Sequence, residues 1–274
     1  MKIQGKITFV GAGNMGEAII RGMLAAGLVE PEQLWVGERR EARRVELRER
    51  YGINAIEDNS RAVSGAGVIV LAIKPQIFEN VIDEIKPAVS EDALIISVAA
   101  GKAIDTMERR FGAQARVMRS MPNVAATVGQ GATALAAGRN VTEAELELAK
   151  RIFDSVGMTV VLEEGQLDAV TGLSGSGPAY VFMVVEALAD AGVKVGLSRW
   201  DAHALACQTV MGAAKLVIDS KEHPGRLKDM VCSPGGTAIA AVHTLEEGGL
   251  RTTLINAVEV AAKRSAELGS KGDD

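Results

Sequence analysis

The chain has 274 residues, 47% of them apolar and 24% charged, with 35 acidic against 30 basic side chains and a net charge of −5. That length and balance fit one or two globular domains with sizeable cores. They exclude a nucleic-acid or membrane-surface protein, because no basic block and no basic amphipathic helix occurs. No run of about 18 uninterrupted apolar residues is present, so no membrane span is expected. Positions 1–6 lack signal-peptide anatomy. Cys207 and Cys232 are too few for a disulfide framework or a zinc site and read as reduced thiols of a cytoplasmic protein.

The first half alternates strand and helix signals. Residues 6–10 form a short apolar run ending in glycine. A helix is predicted over 14–26, with Met15, Ala18, Ile19, Met23 and Ala26 on one face and Gly27 as its stop. A second strand at 33–37 precedes a charged helix at 41–51. Runs at 68–73, with both faces covered, and at 93–98 read as further strands. A short strand follows at 116–119. Thr142 and Glu145 have capping-box spacing before the next helix, and 158–162 closes the series. The pattern predicts an α/β fold, a Rossmann-type parallel sheet with helices on both faces, over 1–163.

From 164 to 274 no further strand is expected, and the domain reads as all-helical. Residues 178–191 form a helix with proline in its first turn. It is apolar nearly all round, broken only by Tyr180 and Glu186, so it must be covered on every side. A second subunit is the favoured cover. Ser198 caps a helix running to 218, shorter helices follow around Leu227 and Ala240, and a last one spans about 252–268. Residues 269–274 are expected to fray.

Gly11-Ala12-Gly13-Asn14-Met15-Gly16 lies between the first strand and the first helix, the context a dinucleotide turn requires. Gly11 permits the turn, Gly13 admits the pyrophosphate to the backbone, and Gly16 lets helix and strand pack closely. The helix N-terminus offers N–H groups to the phosphates. The second strand ends at Glu38-Arg39-Arg40. Glu38 suits the ribose hydroxyls of NAD. Arg39 and Arg40 suit a 2′-phosphate, which favours NADPH with NADH as the alternative. Two further strand ends, Ala72-Ile73-Lys74-Pro75 and Ser97-Val98-Ala99-Ala100-Gly101, are placed where ligands of open sheets bind. Asn59 is counted with this cofactor set.

Two stretches of the helical half are more specific: Thr171-Gly172-Leu173-Ser174-Gly175-Ser176-Gly177-Pro178-Ala179-Tyr180, and Leu227-Lys228-Asp229-Met230-Val231-Cys232-Ser233-Pro234-Gly235-Gly236-Thr237. With the two strand-end segments, the chain resembles pyrroline-5-carboxylate reductase from the glycine turn to Glu259. The resemblance implies NAD(P)H-dependent reduction of a cyclic imine to L-proline, the last step of proline biosynthesis. It also implies a helical domain that interlocks with a partner's, with dimers that assemble into decamers in that family.

Residues 233–237 read as a proline-glycine loop opening a helix, an anion site suited to the substrate carboxylate. Ser233, Pro234, Gly235, Gly236, Thr237 and Ala238 form the expected substrate set, with Thr237 and Ser233 as its catalytic side chains. The family commonly carries threonine where this chain has Ala238. The donor to the imine nitrogen is then Thr237, a backbone group or water. An imine protonates to an iminium, already an electrophile, so no strong protein acid is needed. His203 reads as a packed or half-exposed helix residue, His223 as a turn residue, and His243 as the one histidine near the loop. None has metal-ligand spacing. A 3-hydroxyacid dehydrogenase is the second enzyme reading, but residues 179–187 lack the lysine it requires. A non-catalytic dinucleotide sensor would not need the loop at 233–236.

Overall fold

The computed structural model describes residues 2–270. The chain divides into two compact units: residues up to 176 together with those from 260 on, and residues 177–259. This division differs from the expected 163/164 boundary. The segment after 163 and the last turns of the chain pack within the first unit, where the Ser265 hydroxyl donates to Asp168 at 2.6 Å.

The first unit holds eight strands: β1 (Ile7–Val10), β2 (Leu34–Gly37), β3 (Asn54–Ile56), β4 (Val68–Leu71), β5 (Leu94–Ser97), β6 (Arg116–Met121), β7 (Gly131–Ala137) and β8 (Gly157–Val161). Their order is β3-β2-β1-β4-β5-β6-β7-β8. All pairs are parallel except β6 with β7. The order reverses between β1 and β4, the switch point at which open α/β sheets bind ligands.

Helices cover both faces. Along β4, Val68 and Val70 enter one core with Ile19 and Met23 of α1 (Asn14–Ala25), Leu47 of α2 (Glu41–Tyr51) and Phe153 of α6 (Glu143–Asp154). Ile69 and Leu71 enter the other with Val63 of α3 (Asn59–Val63), Phe78 and Ile82 of α4 (Phe78–Ile85) and Met107 of α5 (Ile104–Phe111). An unbroken apolar strand is the consequence of burial on both sides. Thr142 caps α6 and forms its capping box with Glu145.

After β8 comes α7 (Leu167–Val170), then a π-helical turn at Thr171–Gly175. The second unit contains α8 (Gly177–Lys194), α9 (Arg199–Ser220), α10 (Pro224–Val231) and α11 (Thr237–Glu247), and α12 (Leu250–Ser270) begins in it. Ser198 caps α9 by accepting from the Asp201 N–H at 3.1 Å. On α8, Val181, Phe182, Met183, Val184 and Leu188 are all exposed in the single chain. Of the residues expected to fray, 269 and 270 end α12, and 271–274 lie outside the described residues. Among the described residues no helix is long and apolar enough to cross a membrane.

Candidate functional site

The three glycines of the turn differ in what they require. Gly11 has φ +84°, and a Cβ there would stand 2.8 Å from the Ala72 carbonyl oxygen. Gly16 faces the Gly11 oxygen and the Ala72 Cβ at 3.0 and 3.1 Å, so it brings α1 against the ends of β1 and β4. Gly13 has open space where its Cβ would be. The chain's own packing does not require a glycine there, and the open space leaves room for the backbone approach that a pyrophosphate demands.

The turn is held from α2. Arg43 Nε donates to the Ala12 carbonyl at 3.0 Å. The same guanidinium pairs with Glu17, which also accepts from the Tyr51 hydroxyl at 2.7 Å and from Arg50 at 3.0 Å. Burial would raise the Glu17 carboxyl, but the bonds from Arg43 and Tyr51 outweigh it and hold it below the ordinary carboxylate range.

At the end of β2, Glu38 is buried and accepts from Arg40 three times: from the backbone N–H at 3.1 Å, from Nε at 2.9 Å and from Nη2 at 3.1 Å. Burial again works to raise this carboxyl. The Arg40 side-chain and backbone bonds, its charge and the Ala12 N–H win, so Glu38 stays ionised below the usual range. Arg39 reaches Glu84 at 2.9 Å, and Glu84 also accepts from Asn59 Nδ2 at 3.2 Å. The guanidinium of Arg44 holds the Glu38 and Arg39 carbonyls at 2.9 and 2.7 Å.

One cleft of about 910 Å³ joins these parts. Its lining includes Gly11, Ala12, Gly13, Asn14, Met15, Glu38, Arg39, Arg40, Asn59, Ala72, Ile73, Lys74, Pro75, Val98, Ala99 and Ala100. Three expected residues stand outside that lining. Gly16 acts through packing. Ser97 is fully buried, its hydroxyl accepting the Ala99 N–H at 3.2 Å. Gly101 lies one position beyond, with φ +71°. Ile77, Asn80, Val81, Met121 and Pro122 also line the cleft and were not expected. Met121 ends β6, so the rule that found the ends of β4 and β5 could have found it. The open Gly13 cradle, the free end of α1 and the paired arginines suit a dinucleotide phosphate chain and ribose.

The second loop lies in the other unit. Ser233 accepts the Gly236 N–H on its carbonyl at 3.0 Å, and Gly235 takes φ +67°. A Cβ on Gly236 would meet the Ser233 hydroxyl oxygen at 2.3 Å, so this glycine lets the hydroxyl fold over the turn. Gly236 caps α11 without a side-chain bond. The first N–H groups of the helix thus have no side-chain cap, as an anion site requires. Thr237 opens the helix, and Ala238 follows it half-buried. The histidines stand apart from this chemistry. His243 meets Glu247 at 3.3 Å, His223 accepts the Gly225 N–H at 3.1 Å, and His203 is exposed on α9.

A family model described as pyrroline-5-carboxylate reductase dimerisation matches residues 164–268, and one described as NADP oxidoreductase, coenzyme F420-dependent, matches residues 6–101. A pyrroline-5-carboxylate reductase of Methanosarcina acetivorans is 45% identical over 266 residues, covering 97% of this chain and 98% of that one. Among solved structures, a pyrroline-5-carboxylate reductase from Coxiella burnetii superposes with a TM-score of 0.92 at 36% identity, over 97% of this chain and 99% of the other. The Plasmodium falciparum enzyme, solved with NADP bound, gives 0.87 at 32% identity over 98% and 100%. Identity of that degree through both the glycine-turn half and the helical half shows that the chain belongs to the pyrroline-5-carboxylate reductase family.

Proposed function

We propose that the protein reduces pyrroline-5-carboxylate to L-proline with NADPH, NADH serving as the alternative donor. The observation that carries this reading is the 45% identity to a reductase of that name over 97% of the chain, through both candidate loops. When bound, the cofactor supplies the hydride. Gly13 and the first N–H groups of α1 would take its pyrophosphate, and Glu38, Arg39, Arg40 and Asn59 its adenosine ribose. Ala72 to Pro75 and Val98 to Ala100 would lie along the nicotinamide half. The N-terminus of α11, with Ser233, Gly236 and Ala238, would take the substrate carboxylate, and Thr237 would hydrogen-bond the imine nitrogen.

On this reading residues 1–163 carry the cofactor, while 164–274 carry substrate and partner contacts. The uncovered apolar face of α8 supports a homodimer formed through that half, and the family resemblance implies a decamer as the higher assembly. The free cysteines support a cytoplasmic location. The test is oxidation of NADPH or NADH that depends on added pyrroline-5-carboxylate. A folded sample that turns over neither cofactor contradicts the proposal.

A further inference from the structure

The π-helical turn at Thr171–Gly175 interrupts the passage from α7 to α8. Such turns cost regular hydrogen bonds and concentrate at functional sites. Here two side-chain hydroxyls supplement the turn's own wide backbone bond. The Thr171 hydroxyl donates to the Leu167 carbonyl at 2.8 Å, the Ser174 hydroxyl to Val170 at 3.2 Å, and the Ser176 N–H to Thr171 at 2.8 Å. Asn123, two residues past the end of β6, ties the turn down. Its Nδ2 donates to the Ser174 carbonyl at 3.0 Å, and its Oδ1 accepts the Ala132 N–H at 3.1 Å.

The turn is thereby fixed against the end of β6, and one contact is tight. A Cβ on Gly175 would lie 2.8 Å from Cε of Met121. Met121 lines the cleft and is partly buried, packed against the hydrophobic cluster that includes Ile69, Leu71 and Phe78. The glycine turn and the Glu38–Arg40 corner occupy the β1–β2 side of the switch point, so the cleft's end over β5 and β6 faces the nicotinamide ring. This placement rests on the function proposed above.

We infer that Gly175 and Met121 act as a positioning pair that sets the nicotinamide-end wall of the cleft. Gly175 has no side chain because the Met121 methyl occupies that space. With the core filled behind it, a displaced methyl yields toward the cleft, and a methionine tip moves at little cost to the fold.

The test uses Gly175→Ala, Met121→Ala and the double variant in the full chain. Alanine is a better helix residue than glycine, so Gly175→Ala keeps the wild-type Tm or raises it. Bound-NADPH fluorescence, which reports the nicotinamide surroundings, changes. The kcat/KM for the imine falls by about tenfold or more, because misplacing a reacting ring by an ångström is costly. In the Met121→Ala background, where no methyl is left to displace, Gly175→Ala changes neither readout further. Wild-type fluorescence in Gly175→Ala, or an effect of Gly175→Ala that is undiminished in the Met121→Ala background, overturns the inference. If Gly175→Ala fails to fold, Met121→Ala alone decides. A changed fluorescence of bound NADPH supports the pair, and an unchanged one overturns it. Fluorescence needs no turnover, so an absence of imine reduction in the wild type would contradict the proposed function and leave this inference separately decided.

Discussion

Gly11 and Gly13 occupy neighbouring places in one motif but answer to different constraints. The positive φ of Gly11 and its 2.8 Å approach to the Ala72 oxygen belong to the fold. Gly11→Ala is therefore expected to lower stability by about 1–3 kcal/mol, read as a lower urea midpoint with or without cofactor. A Cβ on Gly13 would meet no protein atom within 4 Å. Gly13→Val is expected to keep the urea midpoint while the Kd for NADPH rises by about tenfold or more, the equivalent of one charge-assisted hydrogen bond. Arg40 offers the third residue-scale test. Its fork on Glu38 leaves an exposed guanidinium at the ribose corner. Arg40→Ala is expected to raise KM for NADPH roughly tenfold and to change KM for NADH far less. Equal losses for both would remove the phosphate contact. The glycines and the β2 corner were legible in the sequence because each is a local signal at a strand end. Asn80, Val81 and Glu84 were not, because α4 carries them and only the packing of α4 on the sheet brings them to the cleft or its arginine.

At the scale of elements, the first unit is held at α1 and α2 by carboxylates that stay ionised. Glu17 and Glu38 both have folded pKa values below the ordinary 4.5. The stability they contribute is fully present above that value and is lost as pH falls through their depressed folded values. The urea midpoint is expected to drop as the solution is acidified below about pH 4.5, and Glu17→Gln to flatten that dependence. An acid limb unaffected by Glu17→Gln would assign it to other groups. Strands β1, β2, β4, β5, β6 and β8 and the long helices could be read from periodicity and caps. Strand β3, only three residues long, lies at the sheet edge and is too short to show a period. Strand β7 reads Gly-Ala-Thr-Ala-Leu-Ala-Ala, a composition of weak strand propensity. It becomes a strand because β6 and β8 pair with it on either side. Its antiparallel pairing also escaped the strand-helix pattern. Only the short segment 122–130 joins β6 to β7, without the long crossover a parallel neighbour needs.

At the scale of the molecule, the helical unit carries more apolar surface than one chain covers. Phe182 is 64% and Met183 69% exposed on α8, and each would gain about 1–2 kcal/mol from burial of the remaining surface. The wild type is expected to sediment as a dimer or larger, with a Tm that rises with protein concentration. Phe182→Glu is expected to shift it to monomer with a lower Tm. A wild-type monomer at micromolar concentration would contradict the dimer. This requirement was legible before any coordinates, since a helix without a polar face predicts its own cover. The loop at 233–237 and the cleft belong to different compact units, so no local signal in the sequence relates them. We propose that both serve one reaction. The direct measurement is L-proline formed against NADPH consumed when the purified protein is given pyrroline-5-carboxylate. One proline per NADPH is expected, with no oxidation when the imine is omitted. NADPH binding without proline formation would contradict it.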